Sequence, residues 1–203
     1  MTAEPLPARV PYPAAVRNLL RETVIDAVDD LVRNRGWSAT KMSDVAAAAG
    51  VSRQTLYNEF GSRQALVEAY VEREIENLIA EVTAEVLANA DDAHRALRIA
   101  FTLFLKLASD EPVVQLITSN ADGGELHQLL TGLGRAVASE RIAHLIPQVW
   151  PQVAADDARL LAESLVRLAI SHALLPSQDP AATARDVGRM LAPFVDELLT
   201  RPA

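Results

Sequence analysis

The chain contains no cysteine. That excludes a disulfide framework, thiolate catalysis and any zinc site built on sulfur. Aromatic residues make up only 4% of its 203 residues. No stretch alternates Val, Ile or Thr with polar residues in the manner of strands. Lysine is limited to Lys41 and Lys106. No apolar run approaches the roughly 18 residues of a membrane span. The first residues lack the basic-then-apolar layout of a secretory signal, so a soluble, cytoplasmic protein is expected. His94, His127, His144 and His172 are scattered and form no HExxH or other metal spacing. There is no glycine-rich phosphate loop and no nucleophile elbow. Neither an enzyme nor a metal or cofactor is expected.

What is present is helix-forming sequence. Half of the chain is apolar, and Ala, Leu, Arg and Glu dominate. That composition predicts an all-α fold. The length suffices for one large or two small cores.

The most informative stretch runs from Thr40 to Leu66. Val45, Ala46 and Ala49 share one face of a short helix. Gly50 follows, where a positive φ often ends a helix. Ser52 then stands at an N-cap position. In a second helix Val51, Leu56 and Phe60 would face inward, leaving Arg53, Gln54, Tyr57 and Asn58 outward. Arg, Gln and Asn suit base edges, while Tyr, Ser and Thr commonly donate to phosphates. An isolated Ala-xxx-Gly pattern would describe an ordinary helical hairpin; here it is embedded in a longer series.

That series resembles the DNA-binding domain of the TetR/AcrR family of transcriptional regulators over roughly residues 21–66. An amphipathic helix from Arg21 through Leu31 and Val32 to Gly36 is followed by Trp37 and Ala39-Thr40. Val45-Ala46-x-x-Ala49-Gly50-Val51-Ser52, Thr55-Leu56-Tyr57-x-x-Phe60 and Ser62-Arg63-x-x-Leu66 come after at the family spacing. Gln54 departs from a frequent Gly, Glu59 from His or Tyr, and Arg63 from Lys. The resemblance implies that Thr40 caps the first motif helix and contacts a phosphate, as do Ser52, Tyr57 and Arg63. It implies base contacts for Arg53, Gln54, Thr55 and Asn58. Arg63 has a second rationale, because it opens a long helix and offers its cation beside free N–H groups. Glu59 is expected to bring a carboxylate near the DNA face.

The formal charge of −8 is unevenly spread. Residues 1–66 hold eight basic and seven acidic side chains, for +1; residues 67–203 hold eleven and twenty, for −9. A thin basic footprint suggests that two copies dock together on DNA. Pro5, Pro7, Pro11 and Pro13 rule out a helix over residues 1–13, and residues 1–16 are expected to form a flexible arm, either loose or reaching into the minor groove. The domain plan is an arm (1–16), a helix-turn-helix domain (17–66) and a ligand-binding and dimerisation domain (67–203).

Beyond Leu66 the sequence reads as a bundle. Val67, Val71, Ile75, Leu78, Val82 and Val86 make one stripe on an unbroken helix from Arg63 to about Asn89. A helix after Asp91-Asp92 carries Leu97, Phe101, Phe104, Leu105 and Ala108. Another spans Leu126 to Ile146 and is ended by Pro147 and Pro151 around Trp150. From Asp157 to Leu175, Leu161, Leu165, Leu168 and Leu175 lie on one side and Val166, Ile170 and Ala173 on another. Two apolar faces call for two partners, the subunit's own core and a second copy. Leu165 and Ile170 are therefore expected at a dimer interface. The last helix offers Val187, Met190, Leu191, Phe194 and Leu198. TetR-like proteins dimerise through their last two helices, and the resemblance implies the same here.

The resemblance also implies a repressor that binds an inverted-repeat operator as a homodimer and is released by an effector held among the middle helices. Candidate pocket walls are Phe101, Phe104, Leu105, Leu116, Ile117, Leu130, Leu133, Leu165, Leu168 and Ala169, with Asn120, His127 and His172 as polar handles. Such walls suit a small apolar effector, a fatty acid or acyl derivative. The other reading open to the sequence is an all-helical ligand-binding or adaptor protein with a vestigial helix-turn-helix, favoured by Glu59 and the thin basic charge.

Overall fold

The structure, a computed structural model, describes residues 12–110, 128–176 and 179–200, apart from the side chains of Asp110 and Leu130. Among the described residues it is all helix. The α-helices are α1 (Tyr12–Arg35), α2 (Met42–Ala48), α3 (Arg53–Phe60), α4 (Arg63–Ala88), α5 (Ala93–Asp110), α6 (Arg135–Val149), α7 (Ala155–Leu174) and α8 (Pro180–Thr200). A π-helical turn, Leu130–Gly134, leads into α6. None of these helices is long and apolar enough to cross a membrane.

The N-terminal helices close around one core. Val24, Ile25, Val28 and Val32 of α1 meet Trp37, Met42, Val45 and Ala46, Leu56 and Phe60 of α3, and Leu66 through Ile75 of α4. The Tyr70 hydroxyl sits in this core and donates to Asp29 at 2.9 Å. Burial, then the Asp29 charge, pushes its pKa far up, so it stays a neutral donor. Leu129, Val137 and Ala138, which lead into and begin α6, and Leu174 of α7 pack on the far end of the same core.

Two expectations about proline are corrected. Residues 12–16 are helical, although Pro13 was expected to prevent it. Proline is compatible with a first helical turn, where its missing N–H has no partner to lose. Residues 1–11 lie outside the described residues. The end of α6 also moves, from Ile146 to Val149: Pro147 lies within the helix, which stops at Trp150 ahead of Pro151. Pro147 falls in the last turn, and Trp150 N–H closes the helix on Ile146 O at 2.8 Å.

The unbroken helix expected from Arg63 onward is α4, with Asn89 as C-cap. It joins the N-terminal core to the bundle of α5–α8. Two smaller cores hold that bundle: Ala143 and Ile146 against Ala158, Leu161, Ala162, Val195 and Leu198, and Phe101 and Leu105 against Ala169, Ala184 and Val187.

Candidate nucleic-acid interface and effector cavity

Helices α2 and α3 are short because their ends are encoded in the chain. Gly50 and Gly61 take φ of +68° and +79°. A Cβ at either would meet nothing within 4 Å, so backbone geometry, not space, demands glycine there. Ser52 caps α3, its hydroxyl accepting from Thr55 N–H at 3.0 Å and pairing with the Thr55 hydroxyl at 2.8 Å. Leu56 and Phe60 turn inward, and Ser52, Arg53, Gln54, Tyr57 and Asn58 are exposed, with Thr55 half-buried. The Gln54 amide donates to Asn58 Oδ1 at 2.8 Å. Two base-reading candidates are thus aligned one turn apart on the open face.

Thr40 is placed differently from expectation. It is 1% exposed. Its hydroxyl donates to Gly36 O at 2.8 Å and its N–H to Trp37 O at 3.0 Å. The cap of α2 is Lys41, whose N–H is taken by the Asp44 carboxylate at 3.3 Å. That hydrogen bond, ahead of the nearby Arg35 charge, holds the Asp44 pKa below its usual value. Thr40 therefore ties the turn between α1 and α2 and turns its hydroxyl away from any phosphate. The exposed Lys41 is the neighbouring cation that the motif reading passed over.

Arg63 opens α4 behind the Ser62 cap. Its guanidinium lies 4.0 Å above the Trp37 ring, and it donates to Trp37 O at 2.8 Å and Thr40 O at 3.4 Å. It pins the start of α4 to the turn before α2. Structural work of this kind favours a planar fork over an ammonium.

Glu59 does not stand on the open face. Its side chain is 10% exposed, and Arg17 and Arg21 of α1 hold its carboxylate at 2.9 and 2.8 Å. Burial alone would raise its pKa, but hydrogen bonds from Arg21 and Arg17 and their charges outweigh that and lower it. A carboxylate engaged in this way does not argue against DNA binding. The expectation failed because nothing in the motif shows that α1 passes beside Glu59.

Below this unit the bundle lines a partly open cavity of about 220 Å³. That exceeds the ~150 Å³ of an apolar cavity able to hold benzene. Ile75, Leu78, Ile79 and Val82 of α4 form one side, Ala138 and Ile142 of α6 another. Trp150 borders it too, with its Nε1–H committed to Ala90 O at 3.0 Å. Otherwise only Thr83 and Thr131 bring polar side-chain atoms, and no charged side chain among the described residues lines it. Phe101, Phe104, Leu165 and Ala169 are in the wall as expected. Leu105, Leu133, Leu168 and His172 are not: Leu105 and Leu168 pack toward α8, and the His172 and Phe101 rings stand nearly perpendicular with centroids 6.2 Å apart. Leu116, Ile117, Asn120 and His127, and the side chain of Leu130, lie outside the described residues. The α4 residues were missed because a stripe facing a cavity has the same period as one facing a core. The π-helical turn contributes Thr131 and Gly134 to the wall.

The two apolar faces of α7 are both used inside the subunit. Leu165, Val166, Ile170 and Ala173 all border the cavity. The open side carries Leu160 and Leu175, and α8 adds Met190, all more than half exposed. Met190 is one of the apolar residues the last helix was expected to offer; Val195, outside that set, is buried.

Among known proteins, the model described as "Bacterial regulatory proteins, tetR family" matches residues 24–70. That for "Bacterial Tetracyclin repressor, C-terminal domain" matches residues 92–193. The HTH-type transcriptional regulator AlkX of Mycobacterium tuberculosis is 38% identical, over 93% of this chain and 90% of its own length. The crystal structure of the TetR family repressor AlkX from a Dietzia strain, implicated in biodegradation of n-alkanes, is 33% identical with a TM-score of 0.76. The match covers 89% of this chain and 97% of that one. A TetR-family regulator from Pectobacterium atrosepticum, 22% identical over 93% and 98% of the two chains, has the same fold with a TM-score of 0.63.

Proposed function

The chain belongs to the TetR family of bacterial transcriptional regulators, and on that premise we propose that it acts in the cytoplasm as a homodimeric repressor released from DNA by a small apolar effector. It is a helix-turn-helix DNA-binding regulator and not an enzyme. The observation that carries the finer reading is α4. One uninterrupted helix packs into the DNA-binding core at Leu66–Ile75 and lines the cavity at Ile75–Val86. A molecule seated in the cavity bears on the same rod that carries the recognition unit, and it releases DNA to the extent that it binds one setting of that rod better than the other.

In this reading Arg53, Gln54, Thr55 and Asn58 read bases, and Ser52, Tyr57 and Arg63 contact phosphates. Residues 17–66 serve DNA and residues 67–203 serve effector and partner. The almost wholly apolar cavity selects a long aliphatic molecule, a fatty acid or acyl derivative. The Dietzia relative's link to n-alkane biodegradation favours the same ligand chemistry, and its description as a repressor favours that sign of control. The exposed Leu160, Leu175 and Met190 supply a dimer face on α7 and α8. A two-fold dimer presents two recognition helices to an inverted repeat.

The test is displacement from a duplex recovered by in vitro selection, followed by fluorescence anisotropy. Long-chain fatty acids and their acyl derivatives should release the protein, and planar polar compounds should not. Failure of every aliphatic compound would reject the effector class. On the same duplex Gln54→Ala should lose about 1–3 kcal/mol of discrimination at one base position, whereas Tyr57→Ala should weaken all duplexes alike. Equal behaviour of the two variants would reject the assignment of α3.

A further inference from the structure

We propose that the cleft between α5 and the start of α8 is a second ligand site, one that takes a nucleotide: an organic diphosphate bearing sugar hydroxyls. Residues 67–203 are strongly acidic, and most of their cations are engaged. Of their eleven basic residues, seven hold a carboxylate within 3.1 Å. The side chains of Arg98 and Lys106 make no ion pair or hydrogen bond among the described residues. Arg185 is met by Asp179 at 3.9 Å, and that carboxylate also takes the Ala182 N–H at 3.0 Å. These three least-engaged cations line one open cleft of about 380 Å³, and Glu85 of α4 closes its far side.

The cleft is separate from both surfaces described above. At ~100° per residue, Arg98, Thr102 and Lys106 form a stripe roughly 130° round α5 from the Leu97, Phe101 and Phe104 stripe on the apolar cavity. On α8, Arg185 lies roughly 140° from Met190, so a partner seated on Met190 leaves the cleft open. Arg98 and Lys106 start ~12 Å apart along α5, and Arg185 faces them from α8. Three cations converging from three points match an anion of more than one charge. Guanidinium forks take phosphate oxygens in pairs, and the ammonium adds a point charge. The Thr102 hydroxyl donates to Arg98 O at 2.7 Å and adds no donor. Glu85 pairs with none of the three cations. Beside a bound anion a carboxylate repels it unless it accepts hydrogen bonds, which a ribose diol donates. Ile99 and Leu103, both half-buried in the cleft, offer a base an apolar bed.

Titration calorimetry of the full chain, with ADP, pyrophosphate and adenosine as probes, tests this. No duplex or aliphatic compound is present, so the result stands whether or not the cavity takes an apolar effector. ADP should bind saturably, one per chain, and more weakly as salt rises. Pyrophosphate should bind about tenfold more weakly than ADP and adenosine not at all, since each lacks charged or hydroxyl partners worth that much. Arg98→Gln and Lys106→Gln should each weaken ADP about tenfold, with thermal midpoint and affinity for the selected duplex unchanged. Glu85→Ala should bring ADP and pyrophosphate to equal affinity. No saturable binding of ADP, or binding that survives Arg98→Gln and Lys106→Gln together, overturns the site. Equal affinity of ADP and pyrophosphate for the wild type overturns the nucleotide class.

Discussion

In the N-terminal unit the residues without exposed surface are large: Val24, Val28, Val32, Leu66, Val67, Tyr70 and Val71. In the bundle the residues sealed to the same degree are alanines, namely Ala96, Ala158, Ala162 and Ala184. Its larger side chains, such as Leu78, Val82, Leu97 and Leu165, stay partly open, and all four border the cavity. One end of the molecule is close-packed and the other keeps room. Close packing transmits a shift without absorbing it. Room is what a ligand needs, and its empty walls forgo dispersion contacts that a guest would restore. In the proposed reading, output and input are divided by packing density, and α4 is shared between them.

The largest test of that contrast applies one substitution to both regions. Leu66→Ala removes a side chain from a sealed core and should cost about 2–5 kcal/mol in urea unfolding. Leu78→Ala only enlarges a cavity already present and should cost about 2 kcal/mol less than Leu66→Ala. Equal losses would break the comparison.

A smaller stability effect with a clear functional readout comes from filling the cavity. Ala173→Phe places a ring where wall now meets empty space. As a cavity-filling change it should stabilise by about 0.5–2 kcal/mol and leave DNA affinity intact while abolishing release by aliphatic compounds. Retained release would place the effector elsewhere.

The smallest effect concerns acid. The Glu59 pKa is lowered in the folded state, so its contribution to stability is present above the ordinary carboxylate range and fades as pH falls through the lowered value. The stability gap between wild type and Glu59→Gln should be flat near neutrality and close progressively below about pH 4.5, the ordinary value for this group. A gap that widens in acid would reverse the sign and remove the arginine clamp as its cause.

Much of this molecule is legible in the chain because it depends on neighbours in sequence. Gly50, Ser52 and Gly61 announce the ends of α2 and α3, since positive φ and capping are local demands. The stripe from Val67 to Val86 announces α4 for the same reason. Side chains that act across helices are different. Thr40 looks like a cap and is a buried tie; Glu59 looks like an intruder at the DNA face and is an arginine clamp. Leu165 and Ile170, whose stripes look like a partner surface, also border the cavity.

The sequence by itself determined that the chain is helical, where its helix-turn-helix begins and ends, and which family it joins, because periodicity, caps and motif spacing are properties of adjacent residues. Only the tertiary structure decided which polar side chains face each other across α1 and α3, and which apolar stripes close on a core or stop short and leave a cavity. Those outcomes depend on the distance and angle between helices far apart in the chain, and the same 3.6-residue period serves a filled interior and an empty one alike.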